Sequence, residues 1–115
     1  MADPVILLVD NGSRRSAATL SLRSIAARLG EASGRHITPV SLQHSDRISP
    51  DEVGGNPARL LPQFLREQLE KGQRDFILLP LFFGKSRALT EFIPEQVARL
   101  TDEFGRFEIR QADVL

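Results

Sequence analysis

Two short polar segments contain the residues whose types and spacing suit ligand chemistry. The first runs from Asp10 to Arg15, Asp-Asn-Gly-Ser-Arg-Arg, directly before a helical pattern. Free backbone N–H groups at a helix start, the Ser13 hydroxyl and the Arg14 guanidinium would together suit an anionic ligand. A helix start with solvated arginines explains the same residues, because every helix begins with unpaired N–H groups. Gly12 stands alone, which excludes a P-loop or dinucleotide fingerprint, since those motifs need more glycines.

The second polar segment, Phe83 to Ala88, has the sequence Phe-Gly-Lys-Ser-Arg-Ala. A flat organic anion would stack on Phe82 or Phe83 and pair with the cations of Lys85 and Arg87. Phe83 would equally serve to complete the apolar core. Neither segment identifies an activity on its own.

Apolar runs and helical spacings predict the elements that position these segments. Unbroken apolar runs predict strands buried on both faces, and three- and four-residue apolar spacings predict the helices between them. The strands are expected at 5–9, 37–44, 76–83 and 107–110. Ser13 or Ser16 would cap the first helix. Gly30 or Gly34 would end it. The second helix would begin at Asn56-Pro57, a cap residue followed by a proline.

The resulting order, β-α-β-α-β-α-β, is typical of an α/β domain. We expect one domain over residues 1–115, with a four-stranded parallel sheet and helices on both faces. Ligands of such sheets bind beyond the carboxyl ends of the strands. The loops expected at that edge are Asp10 to Arg15, Gln43 to Gly55 and Phe83 to Ala88.

The composition excludes several classes of function. Fifteen basic residues balance fifteen acidic ones, whereas nucleic-acid and membrane-surface proteins usually show a basic excess. The chain has no cysteine, which removes disulfides, iron–sulfur clusters and thiol nucleophiles. The first residues do not form a signal peptide, and no apolar run is long enough to span a membrane. A cytoplasmic location is therefore expected.

Both polar segments lie in longer motifs that resemble one known family. Residues 9–15, Val-Asp-Asn-Gly-Ser-Arg-Arg, resemble the Asp-His-Gly-Ser-Arg signature of the small sirohydrochlorin chelatases of cobalamin and siroheme biosynthesis (CbiX type). Residues 79–95, Leu-Pro-Leu-Phe-Phe-Gly-Lys-Ser-Arg-Ala-Leu-Thr-Glu-Phe-Ile-Pro-Glu, resemble the second signature. There a strand ending in Pro-Leu-Phe leads through a Gly-Arg-His turn to an Asp-Ile-Pro-Glu helix. The resemblance covers Val5 to about Ala112.

The resemblance implies a metal chelatase, a lyase that inserts Co²⁺ or Fe²⁺ into a tetrapyrrole, and a homodimer. Two histidines, one in each signature, bind the metal in the family. Asn11 and Ala88 stand at those positions here. An amide oxygen is a weak ligand for these metals and a methyl group is none. The remaining signature and loop residues are expected to bind the carboxylates or the ring of a tetrapyrrole: Gly12, Ser13, Arg14, Phe83, Gly84, Lys85 and Arg87.

The sequence leaves open whether the chain is an enzyme. His44, at the carboxyl end of the second strand, is a candidate for a substitute metal site with Asp10, Asp46 or Glu91. A solvent-exposed loop histidine explains it equally. Glu91 is a candidate catalytic carboxylate at the replaced site, or a residue that begins the third helix. No resident cofactor is expected. The alternatives are an altered chelatase, a degenerate pseudoenzyme that binds sirohydrochlorin or another polycarboxylate without metal exchange, and a dimerisation partner of an active paralogue.

Overall fold

The computed structural model describes residues 3–81 and 91–112. The strands form one parallel sheet of four, in the order β2-β1-β3-β4. The elements in chain order are β1 (Val5–Asp10), α1 (Ser16–Ser33), β2 (Ile37–Ser41), α2 (Leu61–Glu70), β3 (Asp75–Pro80), α3 (Ile93–Phe104) and β4 (Glu108–Gln111). The predicted α/β class with a four-stranded parallel sheet is confirmed.

Helices cover both faces of the sheet, as the unbroken apolar runs predict. Leu7, Leu8 and Val9 of β1 are all 0% exposed. Because successive strand residues point to opposite faces, Leu7 and Val9 enter a core cluster with α2 and α3, whereas Leu8 enters a second cluster with α1. A strand buried on both sides holds the residues after it in a fixed position. Asp10 ends β1 and Asn11 follows it, so both are held in this way.

The predicted start of the second helix at Asn56-Pro57 is wrong. The segment from Pro57 to Leu60 is not helical, and it runs beside the outer edge of β2. The Ser41 backbone N–H there donates to the Arg59 carbonyl at 2.9 Å. The helix begins at Leu61 instead, with a proline in its first turn. Pro57 and the proline that follows Leu61 both suit a first helical turn. The hydrogen bond between Ser41 and Arg59 holds Pro57 outside the helix.

The first helix begins without the predicted serine cap. Arg15 is the residue before it, and no side chain caps its N–H groups. The Ser13 hydroxyl instead accepts a hydrogen bond from the Arg15 backbone N–H at 3.1 Å. The predicted end at Gly34 is confirmed: its φ is 69°, and its N–H donates to the Gly30 carbonyl. Gly30 lies inside the helix.

The connection from β2 to α2 contains two 3₁₀ turns, Ser45–Arg47 and Pro50–Val53. The Arg23 guanidinium of α1 anchors this connection, because it donates hydrogen bonds to the Val53 carbonyl at 2.6 Å and to the Asn56 carbonyl at 2.7 Å. The strand predicted at 37–44 ends at Ser41, because the chain turns sharply just beyond it. Among the described residues, no helix is long and apolar enough to cross a bilayer.

Candidate functional site

The strand order creates a crevice at the carboxyl edge of the sheet. β1 has β2 on one side and β3 on the other, so the chain leaves β1 and β3 in different directions. Parallel sheets bind ligands at such a point. The Leu81 N–H still donates to the Val9 carbonyl at 2.7 Å, which keeps the chain that leaves β3 beside the end of β1. The first polar segment of the sequence begins at this crevice.

The loop after β1 is locked against the loop after β2. The Asn11 carbonyl accepts a hydrogen bond from the Gln43 N–H at 3.3 Å. Gly12 has a φ of 99°, and a Cβ atom built on it would lie 1.7 Å from the Gln43 carbonyl oxygen. Only glycine fits this approach of two backbones. The Asn11 side chain is exposed above the interlocked loops, at the position where the family signature has a histidine.

Asp10 ends β1 beside Ser41, its registered neighbour on β2. The Ser41 hydroxyl donates to the Asp10 carboxylate at 2.5 Å. Burial raises the pKa of Asp10 above its ordinary value, although the hydrogen bonds from Ser41 and from the Gly12 backbone oppose the rise. The carboxylate thus joins the two strand ends. Ser41 is missing from the sequence-based site, since a serine inside an apolar strand gives no signal until the register is known.

His44 lies at the centre of a tight turn just after Gln43. Its φ is 73° and its ψ is −34°, and the Ser45 N–H donates to the Gln43 carbonyl at 3.0 Å. This is a γ-turn with positive φ at its centre, a rare and strained form. His44 is exposed, whereas Ser45 next to it is 0% exposed. Within the described part of the chain, the Ser45 hydroxyl has no hydrogen-bond partner.

The remaining predicted residues fall into two groups. Arg14 is exposed two residues before α1, next to the half-buried Ser13. Glu91 is exposed two residues before α3, which agrees with the interpretation that it lies at a helix start. Outside the described residues are the predicted ligand-binding positions of the second signature and the second replaced histidine: Phe83, Gly84, Lys85, Arg87 and Ala88.

The described residues of the site offer hydrogen-bond donors for an anionic ligand, but they contain no cluster of metal ligands. In residues 3–81 and 91–112, no group of three or more histidine, aspartate or glutamate side chains could hold a metal ion. The substitute site around His44 therefore remains a prediction without a ligand cluster to support it. His36 lies at the amino end of the sheet, in a groove shared with Pro4 and Val5. It is remote from the crevice.

The fold defines an α/β protein whose candidate ligand site lies at the carboxyl edge of a parallel sheet. The chain belongs to the CbiX family, whose model matches residues 5–115. A solved structure from Marinobacter aquaeolei VT8, described as a CbiX protein of cobalamin (vitamin B12) biosynthesis, has the same fold, with a TM-score of 0.70 at 19% identity. The match covers 98% of this chain and 80% of that one. No curated protein sequence matches the chain.

Proposed function

We propose that this chain binds a tetrapyrrole such as sirohydrochlorin at the crevice without delivering a metal to it. Family membership supports a chelatase-like function, in which Co²⁺ or Fe²⁺ would be a substrate. The observation that carries the proposal is Asn11. It occupies the exposed position after the central strand, where the family signature supplies an imidazole, and its amide is a weak ligand for these metals. Ala88, at the second histidine position of the signature, supplies no ligand.

The cations near Asn11 suit the carboxylates of the macrocycle. Arg14 is exposed three residues after Asn11, and it takes part in none of the ion pairs between described residues. Lys85 and Arg87 add further positive charge in the second signature. A few exposed ion pairs of this kind would give a dissociation constant of roughly tens of micromolar.

A second candidate is an altered chelatase that uses His44. The observation that favours it is the strained turn that presents this imidazole beside the Asn11 loop. Such an enzyme would need carboxylates such as Asp10, Asp46 or Glu91 to complete the metal site. His44→Asn would then abolish metal insertion.

The proposal is tested by separating binding from insertion. Sirohydrochlorin is titrated with the protein and followed by absorbance, and Co²⁺ insertion is then timed with and without protein. We expect a saturable spectral change and an unaccelerated insertion rate. Asn11→His/Ala88→His restores both family ligands, and we expect this variant to accelerate insertion. Acceleration by the unaltered chain would overturn the proposal, as would the absence of any spectral change.

The assembly and location of the chain are part of the same proposal. The resemblance implies a homodimer, pairing with an active paralogue is the alternative, and the composition predicts a cytoplasmic location. A partner would cover apolar surface on the sheet that α1 leaves uncovered, a point that the last prediction of the Discussion tests.

A further inference from the structure

We propose that the tetrapyrrole bound by this chain already carries its metal, and that the His44 imidazole is an axial ligand to that metal. The inference rests on the proposed tetrapyrrole-binding function and names the form of the ligand. It follows from the number of ligands that each task requires. Delivery of a free ion needs several protein ligands. A metal inside a macrocycle has its four ring nitrogens, and the protein then supplies as little as one axial ligand.

His44 meets the second requirement by itself. No cluster of three or more potential ligand side chains occurs in residues 3–81 and 91–112, so His44 is not part of a multi-ligand cage there. It is nevertheless exposed, and an exposed imidazole is open to a metal presented by a flat ring. Imidazole is a good ligand for both iron and cobalt.

The backbone holds His44 in a conformation that calls for an explanation. A positive φ is uncommon outside glycine, and asparagine or aspartate tolerate it better than most residues. Local strain of this kind persists where the surroundings impose it, and it collects at ligand sites. Here the turn is imposed from both sides. The fully buried Ser45 anchors one end, and the Gln43 backbone is pressed against Asn11 and Gly12 at the other.

The position of the turn agrees with this role. The Gln43 N–H bonds the Asn11 carbonyl, so His44 follows directly after the contact between the two loops of the crevice. Arg47 lies one 3₁₀ turn further along, and its N–H donates to the His44 carbonyl at 3.0 Å. Arg14 is exposed after the first loop. Arg14 and Arg47 belong to the two loops that meet next to His44, and their charge suits a metal centre whose ring carries carboxylates at its rim.

The test compares a polycarboxylate porphyrin with and without its metal. Iron(III) uroporphyrin and metal-free uroporphyrin are titrated separately, and the Soret band is recorded. We expect the iron form to bind more tightly and to show a Soret shift of the kind that axial imidazole ligation causes. His44→Asn keeps a residue that tolerates positive φ while removing the imidazole. It should abolish the shift and raise the dissociation constant of the iron form by about tenfold or more, leaving metal-free binding unchanged.

The second histidine supplies the matched control. His36 is also exposed, but it lies at the opposite end of the sheet, so His36→Asn should leave the spectrum and affinity as they are. A Soret shift that survives in His44→Asn, or that disappears in His36→Asn, would overturn the assignment. Equal affinity for the two porphyrins with no shift would also overturn it while leaving the proposed function intact. Failure to bind either porphyrin would instead count against the proposed function itself.

Discussion

At the scale of single residues, Asp10 combines two opposing effects. Burial at the end of β1 disfavours its charged form, and this is the largest influence on it. The hydrogen bonds from Ser41 and the Gly12 backbone favour the charge but do not compensate fully. The net result is a raised pKa. The folded protein therefore binds a proton at Asp10 more readily than the unfolded chain does.

The first prediction follows from that difference. The free energy of unfolding contributed by Asp10 falls as pH rises through the raised folded pKa, because the unfolded state binds fewer protons there. Asp10→Asn retains an oxygen that accepts from Ser41 and has no charge to desolvate. We expect the variant to gain stability relative to the unaltered chain at neutral pH, and the gain to shrink as pH falls below the folded pKa. Denaturant unfolding at several pH values measures this.

Glu103 provides a control of opposite sign. A hydrogen bond from Arg66 lowers the pKa of Glu103, so its contribution to stability is present at neutral pH and is lost as pH falls through the folded pKa. Glu103→Gln should therefore lose stability at neutral pH and recover in acid. A pH-independent difference for Asp10→Asn would show that burial of its charge does not cost stability.

At the scale of elements, the site depends on contact between two loops rather than on either loop alone. Gly12 lies against the Gln43 carbonyl, and Asn11 accepts from the Gln43 N–H. This contact joins Asn11 to Gln43, the residue directly before His44. It also restricts the sequence at the crevice, because only glycine fits at position 12.

The second prediction concerns Gly12→Ala. A Cβ atom here would lie 1.7 Å from the Gln43 oxygen, so one backbone must move. We expect a loss of about 3 kcal/mol in unfolding free energy, at the upper end of overpacking costs. Gly72→Ala is the matched control: its φ is 92°, but a Cβ atom meets nothing within 4 Å. That variant should cost about 1 kcal/mol, the conformational part alone. Equal costs in the two variants would show that the loops separate easily.

The sequence predicts the elements better than their ends. The apolar runs of β1 and β3 are visible because strands buried on both faces leave no polar position. The start of α2 is not visible, because Pro57 and Pro62 both fit a first turn and only the Ser41–Arg59 hydrogen bond separates them. The candidate site likewise has one part that the sequence reveals and one part that it does not. Asn11 is found from its motif, whereas the role of Ser41 depends on a register that no local pattern encodes.

At the scale of the whole molecule, the sheet is covered unevenly. α1 packs against β2 and β1, and its cluster reaches Leu79 of β3. Ile77, registered between Ile6 of β1 and Arg110 of β4, lies on the same face but in neither core cluster. It is only partly buried. The Asp75–Arg110 ion pair, at 3.2 Å, borders it. An apolar centre with a charged rim is typical of a surface that pairs with another chain.

The third prediction tests the proposed homodimer at this face. Pairing would remove Ile77 from water, which stabilises the dimer in proportion to the apolar area buried. Ile77→Lys places a charge there, and burying an unpaired charge is costly. We expect the dissociation constant of the dimer, from sedimentation velocity over a range of concentrations, to rise by about tenfold or more.

Leu20→Lys is the control, because Leu20 is a 47% exposed apolar residue on α1 and should not alter assembly. Circular dichroism of each variant confirms that it is folded. Two results would rule out pairing through this part of the sheet. The unaltered chain would stay monomeric at high concentration, or its dimer would be unaffected by Ile77→Lys. Neither result is compatible with Ile77 at the centre of an interface.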